Sequence, residues 1–154
     1  MKAKSFLLLS VIVATIISCK NTESDVLQQA RLTQQGLLSK KDALLTDLNK
    51  RYSEVENKIS QVSNEASKDS TKDAASEIML LEEEKSAIDE LRDRAENWSI
   101  TNIIALPEPG QLKNDPKFKD MKDEDVLKMV KGQDSLFSTL KSEIESELLL
   151  YEDF

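Results

Sequence analysis

The chain has 154 residues, a formal charge of −8 and no histidine, which removes His-based nucleophile activation, imidazole acid–base catalysis and the usual zinc sites. Its 29 acidic residues against 21 basic ones repel nucleic-acid phosphates and anionic lipid headgroups, so no nucleic-acid partner is expected. Only three glycines and three prolines, with 32% charged residues, point to an all-α protein with long helices and few turns.

Lys2 and Lys4 precede a nearly unbroken apolar run from Phe6 to Ile17, which stops at Ser18 beside Cys19, the single cysteine. Basic, apolar and small-residue regions in that order are the layout of a secretory signal peptide over residues 1–18. An uncleaved membrane span is the weaker reading, because the run is about a dozen residues and a bilayer core takes about 20. Ile16-Ile17-Ser18-Cys19 resembles the lipobox of bacterial lipoproteins. That resemblance implies recognition of Ile16, Ile17 and Ser18 by the type II signal peptidase, cleavage before Cys19, and acylation of Cys19. The mature chain would keep 136 residues and partner the membrane through its acyl chains, each buried methylene contributing about 0.8 kcal/mol. With its one cysteine carrying lipid, the fold must rest on packing rather than disulfides. In enteric lipoproteins an aspartate directly after the lipidated cysteine favours inner-membrane retention. Lys20 stands there, so by analogy the expected address is the outer membrane, on either its periplasmic or its surface face.

Residues 19–25 read as a lipidated polar tether and residues 26–154 as a helical bundle. From Val26 to about Ala66 the apolar residues take helical spacing. Leu45, Leu48, Tyr52, Val55, Ile59, Val62 and Ala66 follow at alternating steps of three and four, a heptad seam. Upstream, Leu27, Ala30, Leu37, Leu38 and Leu44 continue the stripe less cleanly, and Gly36 and Lys41 weaken it enough to predict a bend or fraying. Residues 67–73 are polar and turn-forming. A second helix is expected over about 74–98, through Ile78, Leu81, Ile88, Leu91, Ala95 and Trp98, with Glu84 and Lys85 as a polar layer. The short connection makes the two helices antiparallel neighbours. All three prolines and Gly110 fall between Ser99 and Pro116, breaking the pattern. A third helix over about 119–152 carries Val126, Val130, Gln133, Phe137, Leu140, Ile144, Leu148 and Tyr151, with acids at its start where the helix dipole favours them. The expected fold is therefore an antiparallel three-helix bundle, or coiled coil with long helices, after a cleaved signal peptide.

No catalytic, cofactor-binding or metal-binding residues are assigned. Glu82, Glu83 and Glu84 point about 100° apart on a helix and cannot converge on one ligand, and the acids from Asp115 to Asp125 lack the alternating ligands and glycine of a calcium loop. The candidate contact segment is the apolar, proline-limited stretch holding Trp98, Ile100, Ile103, Ile104 and Leu106, since long bundle connections tend to be functional or disordered. The alternative is that these residues fold back over the end of the bundle. Asp69-Ser70-Thr71 and Asp134-Ser135-Leu136 resemble the short O-glycosylation motif of Bacteroidota, making Ser70 and Ser135 candidate acceptors. The lipobox, two long amphipathic helices, Trp98 and a Gln133-containing third helix resemble small Bacteroidota coiled-coil lipoproteins labelled "viral A-type inclusion protein", a label without biochemistry.

The expected function is a lipid-anchored structural or protein-interaction module of the envelope, non-enzymatic and with an envelope protein as partner. Short connections favour a monomer over a homo-oligomer. A self-associating coiled-coil spacer is the alternative, and a carboxylate-dependent enzyme ranks third.

Overall fold

The computed structural model describes residues 23–67 and 72–151. Three helices make up nearly all of it: α1 (Asp25–Ala66), α2 (Lys72–Asn102) and α3 (Asp123–Leu148). Short 3-10 turns at Leu112–Asn114 and Leu149–Tyr151 complete the elements, and no strand occurs among the described residues. The protein is an all-α three-helix bundle.

Ser24 caps α1, its hydroxyl accepting from the Leu27 N–H at 3.3 Å, and the same hydroxyl donates to Asp123 Oδ2 at 2.6 Å. One serine thus ties together the starts of α1 and α3, which run parallel. α2 runs the other way, since Trp98 near its end meets Phe137 of α3 while the earlier Arg94 reaches Glu147, 2.8 Å away. α1 lies against both other helices, which touch each other far less. It passes through Gly36 as one continuous helix, so the expected fraying is absent: burial of Gln34 and Leu37 on either side outweighs a propensity loss of about 1 kcal/mol.

The core has two parts. The central cluster joins Leu37, Leu44, Leu48 and Val55 of α1 with Ile88, Leu91 and Ala95 of α2 and Phe137, Leu140 and Ile144 of α3. The second, at the end where α1 and α3 begin, joins Leu27, Ala30, Val126 and Val130 with Leu112 and Phe118 from the connection. There the α2–α3 connection, not α2, forms the third wall. Phe118 is fully buried, contributing about 1.5–3 kcal/mol.

The last helix ends at Leu148, about four residues before the expected end, and both helix boundaries at the α2–α3 connection also differ from expectation. α2 continues past Trp98 to Asn102, and Ser99, Thr101 and Asn102 in this last stretch each donate a side-chain hydrogen bond to the carbonyl four residues back. α3 starts at Asp123 rather than near Lys119. Asp115 caps a separate turn instead, accepting from the Lys117 N–H at 2.8 Å and, through its carbonyl, from Phe118 and Lys119. That turn points Phe118 inward, and extended backbone at Lys122 then resets the chain for α3.

Candidate functional site

The apolar connection after Trp98 is pinned at several points. The Gln34 amide donates to Ile104 O at 2.8 Å and accepts from the Leu106 N–H at 3.1 Å. Arg31 donates Nη1 to Pro107 O at 2.6 Å and grips Glu23 with Nε and Nη2, both at 2.6 Å. Gly110, whose φ of 80° suits glycine, donates its N–H to Glu23 at 3.3 Å. Chiefly through the Arg31 hydrogen bonds, and with help from Gly110 against the opposing effect of burial, the Glu23 carboxyl is held below its ordinary range. Trp98 and Ile103 pack on the central cluster and Leu106 on the second. Trp98 meets Phe137 with ring centroids 5.4 Å apart and planes tilted by 53°. Of the five candidate contact side chains, Ile100, 81% exposed, and Ile104 face outward.

At the opposite end the helices are unequal. The structure carries α1 to Ala66 and begins α2 at Lys72, whereas α3 and its terminal turn stop at Tyr151. Beyond that point α1 and α2 form a two-helix hairpin with a groove of about 710 Å³ along one face. Val55, Val62, Leu80, Leu81 and Tyr151 supply its apolar lining, and Leu80 is 41% exposed. Its charged lining consists of Glu54, Glu65, Glu77, Glu83 and Glu84 against Arg51 and Lys58, an excess of three acids. Glu84 pairs with Arg51 at 3.0 Å and Glu54 with Lys50 at 3.7 Å. For Glu65, Glu77 and Glu83 no ion pair is found among the described residues. On another face Lys85 pairs with Glu56 at 3.2 Å and lies 5.2 Å from the Tyr52 ring centre. The expected polar layer at Glu84 and Lys85 is thus a pair of cross-helix links that fix the register of the hairpin.

The hairpin groove was not among the sites expected from sequence. Its apolar residues read there as ordinary seam positions, and among the described residues α3 does not run beside that part of the hairpin. Ser135 is exposed on α3. Ile16, Ile17, Ser18, Cys19 and Ser70 lie outside the described residues. Among the described residues no group of three acidic, histidine or cysteine side chains is placed to hold a metal ion, and no helix is long and apolar enough to cross a membrane.

What fold and surface define is a three-helix bundle closed by its connection at one end and grooved at the other. Neither a protein-family model, a curated protein nor a solved structure matches the chain.

Proposed function

We propose that this chain is a lipid-anchored, non-catalytic interaction module of a bacterial envelope, held to the outer membrane through acylated Cys19. The supporting observation is the polarity of the bundle. α1 begins at Asp25, six residues after Cys19, and those residues reach only about 20 Å. The closed end therefore sits near the lipid. Along the 42 residues of α1 the hairpin groove, lined from Arg51 to Glu65, then lies about 40–60 Å outward, away from the headgroups and toward other envelope proteins. Within the segment from Trp98 to Leu106, a partner would have Ile100 and Ile104 to bind.

Cys19→Ser tests the anchor. It should abolish labelling by a palmitate analogue and release the protein from the membrane fraction, and label persisting in the variant would end the lipoprotein reading.

The self-associating spacer is the second reading, favoured by the exposed side chains of Met79, Leu149 and Leu150. Residues 20–154 contain every described element, so this soluble chain decides between the two by sedimentation equilibrium. A monomer is expected, and a stable oligomer would favour the spacer.

A further inference from the structure

We infer that the hairpin groove binds one cationic amphipathic helix from a partner protein, seated in line with α3 as the missing third helix of the bundle. The inference rests on the interaction-module reading, from which it takes the tip as a docking end, and adds the chemical class of partner.

Three observations converge on it. The first is shape: among the described residues no third helix lies along the apolar strip between these two antiparallel helices, whereas elsewhere in the bundle α3 does so. Lining residues on α1 run from Arg51 to Glu65, a length of about 21 Å, which a helix of about 14 residues spans. The second is chemistry: Val62, Leu80 and Leu81 offer the kind of apolar strip into which an amphipathic helix lays leucine-type anchors at three- and four-residue spacing. The third is charge. Five carboxylates against two cations line the groove, and three of those carboxylates have no cation of their own among the described residues. Lysines or arginines flanking the partner's apolar stripe would meet them, whereas a second copy of this chain, itself at −8, would bring like charge to like charge.

The test uses residues 20–154, since both core clusters lie between Leu27 and Ile144. The probe is a labelled peptide of about 16 residues with a leucine stripe flanked by lysines, and the comparison is the same peptide with every lysine replaced by glutamate. Fluorescence anisotropy should show the lysine peptide binding at least about tenfold tighter, with affinity falling as salt rises. Leu80→Asp should abolish binding. Reversing Glu65, Glu77 and Glu83 to lysine should weaken the lysine peptide about tenfold and strengthen the glutamate peptide. The same reversal at Asp47, Glu90 and Glu96, exposed acids outside the groove, should leave both affinities within about twofold. Circular dichroism verifies that each variant is folded. Equal binding of the two peptides, or equal effects of the two reversals, would overturn the inference. So would a dimer that Leu80→Asp dissociates, which would name a second copy as the occupant. Failure of the lysine peptide alongside photo-crosslinking of position 80 to an envelope protein in cells would overturn the cationic-helix class and leave the interaction module standing. Failure of both would remove the two together.

Discussion

Gln34 and Gln133 lie at about the same level of the parallel helices α1 and α3, as the Ser24–Asp123 and Lys40–Ser138 contacts set the register. Both are buried, but their amides have different surroundings. Gln34 satisfies two backbone groups of the connection, whereas Gln133, 7% exposed, has a buried Oε1 without a hydrogen-bond partner. Leaving a buried polar group unpaired costs about 1–3 kcal/mol. Gln34→Leu should therefore destabilise the bundle by about 2–4 kcal/mol by stranding Ile104 O and Leu106 N–H, while Gln133→Leu should be neutral or stabilising by about 1 kcal/mol. Urea denaturation of both variants checks the opposite signs. The glycines inside α1 and α3 make a further residue-scale case. A Cβ built at Gly36 or Gly132 meets nothing within 4 Å, so Gly36→Ala and Gly132→Ala should each stabilise by about 1 kcal/mol through helix propensity alone. A melting temperature that fell in either variant would contradict this.

At the scale of elements, apolar spacing made the three helices legible in the sequence, and the seam residues Leu48, Val55, Ile88, Leu91, Phe137 and Ile144 are indeed in the central core. What spacing did not show was the route of the connection. Its position depends on Gln34, Arg31 and Glu23, polar residues whose bonds to backbone 70 or more positions away leave no periodic signal. Phe118 was equally hidden, because a single buried aromatic in a turn has no partner at helical spacing. The Glu23–Arg31 link has a pH signature. Because the folded carboxyl binds its proton less readily than the ordinary value of about 4.3, the unfolded chain takes up that proton first as pH falls. The stabilisation is then fully present above about pH 4.3 and lost as pH drops through the folded value. Urea unfolding at neutral pH and near pH 3 should show Glu23→Gln losing less stability on acidification than the parent chain. Equal losses would remove Glu23 from the account. Trp98 tests the same region from the other side. Its packing on Phe137 should give blue-shifted emission partly shielded from acrylamide, and Trp98→Ala should cost about 2–3 kcal/mol, below the range for a fully buried tryptophan.

For the whole molecule, burial is graded along the long axis. Past Val55 on α1 and before Ile88 on α2 no side chain is buried among the described residues, so about three turns of α1 and about four of α2 project beyond the last buried layer. The groove could not be read from periodicity for the same reason: Val62 and Leu81 keep the seam spacing whether or not a third helix covers them. Ile59 and Leu81 still touch the edge of the central cluster. The Arg51–Glu84 pair adds no more than about 1 kcal/mol, as partly exposed ion pairs do, and the Lys85–Glu56 pair is open to solvent. Local opening free energy should follow this gradient, because segments with few buried contacts open without global unfolding. Amides from Ile59 to Ala66 and from Ile78 to Glu84 should therefore exchange through small, nearly denaturant-independent openings. Amides from Leu37 to Leu48 and from Ile88 to Ala95 should exchange only through the global transition. Native-state hydrogen exchange at rising sub-denaturing urea separates the two classes. Uniform protection along α1 in the free chain would mean that the hairpin is already supported at its full length and needs no third helix. A low-stability tip whose protection rises when the lysine peptide is added would locate the energetic gain of docking on the two helices that lack a third wall.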